Sequence, residues 1–172
     1  MSLKEVHHSP MPMATRLLPV NALVREAVRT GVALGYDSSN DDHKIIILSC
    51  YAKPNLNDTL VDVFSLRNVT WKRINHFPYH LDFHYGVFLH GAIHWFVYSD
   101  ASLIAFDLSC DKFKPMPMPG ISAPIKLLDF GGCLAMFAQQ KRSNYQIDQV
   151  DIWMMKEYGV AESWDENKSY YT

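Results

Sequence analysis

The sequence predicts an all-β chain, an open arc of about three four-stranded antiparallel blades belonging to a β-propeller. Three observations lead there. First, three stretches read alike: "VDVFSLRNVTWKRI" (61–74), "LIAFDLSCDKFKPM" (103–116) and "VDIWMMKEYGVAESW" (150–164). Each alternates in part between apolar and polar residues, the two-residue period of a strand, then passes polar turn residues and reaches an aromatic. Second, the unit recurs at Phe64, Phe106 and Trp153, with spacings of 42 and 47 residues. A strand-rich unit repeating every ~40–50 residues marks propeller blades. Third, each of these stretches follows another hairpin candidate, so one blade is two hairpins.

In chain order, residues 1–31 do not make a blade. "ATRLLPV" could be the last strand of another blade, and "NALVREAVR" has helical spacing at Leu23, Ala27 and Val24, Val28; helix and loop both remain open there. The first blade spans 32–74, beginning with "VALGYDSSNDDHKIIIL", two apolar arms around a Ser/Asn/Asp turn. The second spans 86–117, beginning with "GVFLHGAIHWFVY" around "HG", and the third 126–164, beginning with "KLLDFGGCLAMFA" around "GG". Glycine or polar residues between β-prone runs are hairpin signals. Trp71 and Phe113 follow their unit's first aromatic by seven residues, whereas Trp164 follows Trp153 by eleven, as if four residues were added to the last turn. The organisation is therefore an irregular segment 1–31, a propeller part 32–164 and a tail 165–172. Open end faces, carrying aromatics such as Trp153, predict a marginally stable or self-associating chain.

Composition narrows the function. The 172 residues are 48% hydrophobic and carry a net charge of −2, so the chain is globular and has no basic patch suited to nucleic acid. No apolar run reaches the ~18 residues of a membrane helix. The N-terminal residues contain no apolar core, so no signal peptide is expected. Cys50, Cys110 and Cys133 are few and widely spaced, which reads as free thiols in a reducing compartment, the cytoplasm or the nucleus. Asn57, Asn68 and Asn167 fit the glycosylation pattern, without meaning for a chain outside the secretory route.

Five of the eight histidines fall in "INHFPYHLDFHYGVFLHGAIHW" (74–95). His76, His80 and His84 would share a helix face, but Pro78 interrupts them and the stretch connects two blades. His90 lies in a hairpin turn. His94 lies in a strand beside Trp95, so the two point to opposite faces, and a neighbouring backbone group satisfies it. No metal site and no cofactor are expected. Gly131 and Gly132 make a hairpin turn, not a phosphate loop. "PMPMPG" (115–120) is a stiff connector, and Asp37, Asp41 and Asp42 form a solvated turn. No nucleophile elbow or paired carboxylates support catalysis, so no catalytic residue is assigned; a propeller hydrolase is the remote alternative. Phe64, Phe106 and Trp153 pack between blades, as do Trp71, Phe113 and Trp164.

The outer hairpins resemble kelch repeats, the strand–aromatic–turn–tryptophan pattern of "VDVFSLRNVTW". Taken in order, "LGYDSSNDDHKIIIL", "VDVFSLRNVTWKRI", "GVFLHGAIHWF", "IAFDLSCDKFKPMPMP" and "VDIWMMKEYGVAESW" resemble the plant F-box associated interaction domain, over about 33–164. That group includes the S-locus F-box proteins of pollen. The resemblance implies a partial kelch-like propeller that recognises the substrate of a cullin–RING ubiquitin ligase and is not itself an enzyme. Its partner would be a target protein whose identity the sequence does not give. The alternatives are a stand-alone interaction protein and a nonfunctional fragment. Residues 1–31 depart from the family's F-box: "PMATRLLP" matches only part of an Asn-Pro-Ala-Thr-Arg segment, so a Skp1-like adaptor is expected to bind only a longer form.

Long loops on a rigid scaffold usually carry binding. In a four-stranded blade, the loop between strands two and three and the connection to the next blade share one rim. Here these are 51–59, 75–85, 99–102, 119–124 and 138–146. Aromatics and arginine dominate binding hot spots, so partner contact is assigned to Phe77, Tyr79, Phe83, Arg142 and Tyr145, and not to the opposite rim with its "SLRN" turn (65–68). Because 1–31 does not match the F-box that the resemblance leads one to expect, this chain is expected to bind a purified Skp1-like adaptor no better than an unrelated protein; calorimetry showing micromolar affinity would refute that.

Overall fold

Among the described residues, runs of β-branched and aromatic residues punctuated by turn residues fold into twelve strands in three sheets. The computed structural model describes residues 29–50, 59–74, 86–121, 124–141 and 147–170. Blade 1 holds β1 (Arg29–Asp37), β2 (Asp42–Cys50), β3 (Thr59–Ser65) and β4 (Thr70–Ile74). Blade 2 holds β5 (Val87–Leu89), β6 (Ala92–Val97), β7 (Ser102–Asp107) and β8 (Lys112–Met116). Blade 3 holds β9 (Pro124–Phe130), β10 (Cys133–Lys141), β11 (Ile147–Met155) and β12 (Trp164–Tyr170). Each sheet is an antiparallel meander in sequence order. The all-β arc of three four-stranded blades is the predicted one. Its first strand starts at Arg29, ahead of the expected 32. Its last strand runs through Tyr170, into the stretch expected to be a tail. "NALVREAVR" begins outside the described residues, and its final Arg29 is strand.

The blades stack face to face. Ala33, Ile46, Leu48, Val61 and Val63 of blade 1 form one core with Ile93, Trp95, Val97, Ile104, Phe106 and Leu108 of blade 2. Leu89, Phe96 and Leu103 on the other side of blade 2 form a second core with Leu127, Leu134, Met136 and Met155 of blade 3. Because blade 2 is sandwiched, every residue of β6 is buried. In β2 only one parity is deeply buried at first, Asp42, Lys44, Ile46 and Leu48, because the other parity faces away from blade 2. The predicted aromatics obey one rule. Phe106 and Phe113 pair across β7 and β8, ring centroids 4.7 Å apart, and belong to the core against blade 1. Trp153 and Trp164 pack into the core against blade 2. Phe64 and Trp71 pair at 4.7 Å on the corresponding face of blade 1, the face turned away from blade 2. Trp153 is therefore not an end-face aromatic as expected. The open face of blade 3 carries Phe130 instead, 58% exposed.

Turn chemistry sets the register. The two inner hairpins close on pairs with positive φ, His90 (49°) with Gly91 (73°) and Gly131 (62°) with Gly132 (83°), the mirror-image turn that matches strand twist. Four other hairpins close through residues 38–41, 66–69, 98–101 and 108–111, and each ends on a left-handed residue, Asp41, Val69, Ala101 or Asp111. The last hairpin closes Met155 on Trp164 through residues 156–163. The sequence spacing anticipates this longer turn, although Trp164 faces Met155 rather than Trp153. The "PMPMPG" connector follows β8, with Met116 and Met118 packed on the second core.

Gly35 measures how tightly blades 1 and 2 meet. A Cβ built there would lie 2.5 Å from Leu108, 2.7 Å from Phe88 and 2.9 Å from Ile93. Gly35→Ala is expected to destabilise the chain by about 1–3 kcal/mol through overpacking, read as a lower urea midpoint with an unchanged slope.

Candidate functional site

The tight turns 38–41, 66–69, 90–91, 108–111 and 131–132 lie at one rim, and β2 and β6 end at the other, where β6 turns into β7 through residues 98–101. At the short-turn rim, the turns at 38–41, 66–69 and 108–111 surround a cleft of about 710 Å³. Residues from both hairpins of blade 1 line it, with Asp111 from blade 2.

Its walls are built by carboxylates that fold the turns. Asp37 accepts hydrogen bonds from Ser39 Oγ (2.6 Å), Ser39 N (3.1 Å) and Asn40 Nδ2 (2.8 Å). Asp107 holds the matching turn in blade 2 through Ser109 Oγ (2.6 Å) and Ser109 N (2.9 Å). This is the local Asx bonding that favours Asp before a turn. Asp42 accepts the backbone N–H of Arg67 at 2.8 Å, tying the second hairpin of blade 1 to the first. Arg67 in turn donates from its guanidinium to the Asn40 carbonyl at 2.8 Å. The solvated aspartate turn expected from sequence holds for Asp41, which is exposed, and is corrected for Asp37 and Asp42, which are 2% and 3% exposed and bonded to nearby donors.

Lys44 lies at the back of the cleft. It is buried on the face of β2 that meets blade 2. Its ammonium donates to the Leu108 carbonyl and lies 3.0 Å from Asp111 and 3.1 Å from Asp37. Lys72 adds a second contact to Asp111 at 2.7 Å. Burial works to discharge Lys44, but Asp111 and Asp37 outweigh it and raise its pKa. Burial also opposes the charge on Asp37, yet Asn40, Ser39 and Lys44 bring its carboxyl down to about 2. One lysine thereby bridges two blades. Towards solvent, the cleft presents Arg67, Lys72 and Asp41, with side-chain exposures of 56%, 62% and 78%.

Blades 2 and 3 are joined by a different lock. His94 is fully buried. Its Nδ1–H donates to the Val87 carbonyl at 3.1 Å, so Nε2 accepts from the Tyr158 hydroxyl at 2.7 Å. Tyr158 comes from the long turn of blade 3 and stacks edge-on against His90 and His94. His90 Nε2 donates to the Gly132 carbonyl at 3.1 Å. His90 and His94 thus occupy the turn and strand expected of them. Burial brings His94 down to about 4.

Phe77, Tyr79, Phe83, Arg142 and Tyr145, assigned from sequence to partner contact, lie outside the described residues, as do His76, His80 and His84. Among the described residues, no group of three His, Cys, Asp or Glu side chains could hold a metal ion. The sequence reading missed Lys44, Asp111 and Tyr158. No local signal marked Lys44: the run Ile45–Leu48 beside it is apolar at both parities, so the inward parity of "DHKIIIL" is not legible from the sequence.

The F-box associated beta propeller domain model matches residues 10–170. Among curated proteins of Arabidopsis thaliana, F-box protein CPR1 is 33% identical over 196 aligned residues, covering 95% of this chain and 45% of its own. F-box/kelch-repeat protein At3g23880 is 30% identical over 141 residues, covering 76% of this chain and 37% of its own. F-box/LRR-repeat/kelch-repeat protein At2g27520 is 26% identical, covering 72% and 36%. The chain spans less than half the length of these relatives.

The histidine lock makes stability depend on pH. A histidine with pKa about 4 in the fold and about 6.5 unfolded stabilises fully above pH ~6.5 and loses that contribution as pH falls towards about 4. Denaturant melts should lose on the order of 2 kcal/mol between about pH 7 and pH 5. His94→Gln should flatten that slope, whatever it costs at neutral pH.

Proposed function

This chain belongs to the F-box associated beta propeller domain family, and on that premise we propose that it is the part of an F-box protein that takes hold of a target for ubiquitination. The chain would bind and position a protein and leave the chemistry to the ligase. The observation that carries this reading is the short-turn cleft, an open polar recess held rigid from behind by Lys44 and fronted by Arg67 and Lys72. Its buried charges are committed to structure; Arg67 and Lys72, although already bonded to Asn40 and Asp41 and to Asp111, are more than half exposed and keep further N–H donors for carboxylates or carbonyls of a partner. The adaptor would be engaged only by a longer form that carries an F-box. Work in the cytoplasm or nucleus accords with the three free thiols.

A second reading places contact on the opposite rim, at Phe77, Tyr79, Phe83, Arg142 and Tyr145. Its support is in the sequence, where these aromatics and the arginine fall in long segments between strand-forming stretches. The two readings separate in one experiment. Partners captured by the wild-type chain are identified and purified, then titrated by calorimetry against Arg67→Ala with Lys72→Ala, and against Tyr79→Ala, Arg142→Ala and Tyr145→Ala. Circular dichroism checks each fold. Cleft binding predicts an affinity loss of roughly tenfold or more, about 1.4 kcal/mol, for the first set and none for the second. The reverse pattern assigns the opposite rim, and no loss in either set refutes rim binding.

A further inference from the structure

The two contacts between blades are packed from different side chains. The core between blades 1 and 2 holds Ile46, Val61, Val63, Ile93, Val97 and Ile104, branched at Cβ and stiff about χ1. The buried core between blades 2 and 3 has no β-branched member and includes Met136 and Met155. Met116 and Met118 pack against it, so four of the five methionines among the described residues, all but Met154, meet in this one seam. A thioether on an unbranched chain adapts its shape to fill a core. It is also a side chain that peroxides turn from apolar to polar.

The four sulfurs are not equally placed. Met136 and Met155 are 0% and 1% exposed. Met116, at the end of β8, and Met118, in the connector beyond it, are half-buried. The Pro117 carbonyl between them accepts the Trp164 indole N–H at 3.0 Å, tying the connector to β12. The deeper sulfur has a structural duty. Met155 Sδ accepts the Gly159 N–H at 3.0 Å, bracing the turn from which Tyr158 reaches His94.

We propose that the contact between blades 2 and 3 is a redox-sensitive joint, loosened when a hydroperoxide oxidises Met116 and Met118. One peroxide oxygen bonds to the thioether sulfur as the O–O bond breaks. The sulfur gives up two electrons, and the other oxygen leaves with the proton, as water when the oxidant is hydrogen peroxide. The sulfoxide is polar. Keeping its oxygen in an apolar core removes it from water, so the side chain turns outward, and the connector lifts from Trp164. Met155 is then reachable, and its oxidation releases the turn at Gly159. Blade 1 stays packed on blade 2, because the core between them holds no methionine. Reduction of the sulfoxides restores the joint. The joint is independent of which rim holds a partner.

Peptide mass spectrometry and amide hydrogen exchange on the full chain, before and after hydrogen peroxide, test it. Sulfoxide should form at Met116 and Met118 ahead of Met136 and Met155. Exchange in β11 and β12 should rise roughly tenfold or more, the scale of one buried polar group left unpaired, while β2 and β3 keep their protection. Methionine sulfoxide reductase with dithiothreitol should restore the original rates, and dithiothreitol alone should not. Met116→Leu with Met118→Leu nearly conserves volume and should abolish the rise, although Met154, on the opposite parity of β11 from Met155, still oxidises. Met118→Leu alone, expected to shrink the rise, serves if the double variant fails to fold. Recovery with dithiothreitol alone would assign the change to Cys50, Cys110 or Cys133 and overturn the proposal. So would Met116 and Met118 that stay reduced, an equal rise in blade 1, or a leucine variant that responds as the wild type does.

Discussion

A four-stranded sheet has two faces to cover, and among the described residues only the middle blade is covered on both faces by neighbouring blades. The rest of the architecture follows from that constraint. Burying a large apolar side chain is worth roughly 1.5–3 kcal/mol, and β6 spends both of its faces that way, with Ile93, Trp95 and Val97 towards blade 1 and Phe96 towards blade 3. Such a strand reads as an unbroken apolar run, while a strand of an end blade keeps its alternation. Gly35 and Gly86 belong to the same packing: side chains of Ile93 crowd the space where a Cβ of either would lie.

Apolar stacking alone would let the blades slide, because hydrophobic contact has little direction. Direction comes from the polar locks. Lys44 with Asp37 and Asp111 fixes blade 1 on blade 2, and His94 with Tyr158 fixes blade 2 on blade 3. Buried ion pairs often add little net stability, since desolvation offsets their attraction. Here their evident effect is registration: the Asp111 carboxylate can meet both Lys44 and Lys72 only with the two blades correctly placed.

Much of the fold was legible because turn chemistry and the spacing of Phe64, Phe106 and Trp153 are local or periodic signals. The four added residues before Trp164 were also countable, and the structure places them in the turn at 156–163. What was not legible depends on contacts between blades. The orientation of Trp153 follows from which neighbour each face receives, a fact that strand alternation does not contain. The cleft joins turns near residues 40, 67 and 110, separated in sequence and brought together only by stacking. A lysine in an apolar strand looks like an outward residue until the carboxylates opposite it are known, so Lys44 could not be distinguished from a solvent-facing position.

The Tyr158 contact has a consequence for how the molecule comes apart. The turn that carries it belongs to the hairpin of β11 and β12, yet its hydroxyl is held by a histidine 64 positions earlier in the chain. Opening that hairpin therefore uncovers His94 and admits water to the inward side of β6. Amide protons in the two blades are then expected to share one exchange event rather than two, and protease access at 156–163 to report a cooperative unit larger than the loop itself.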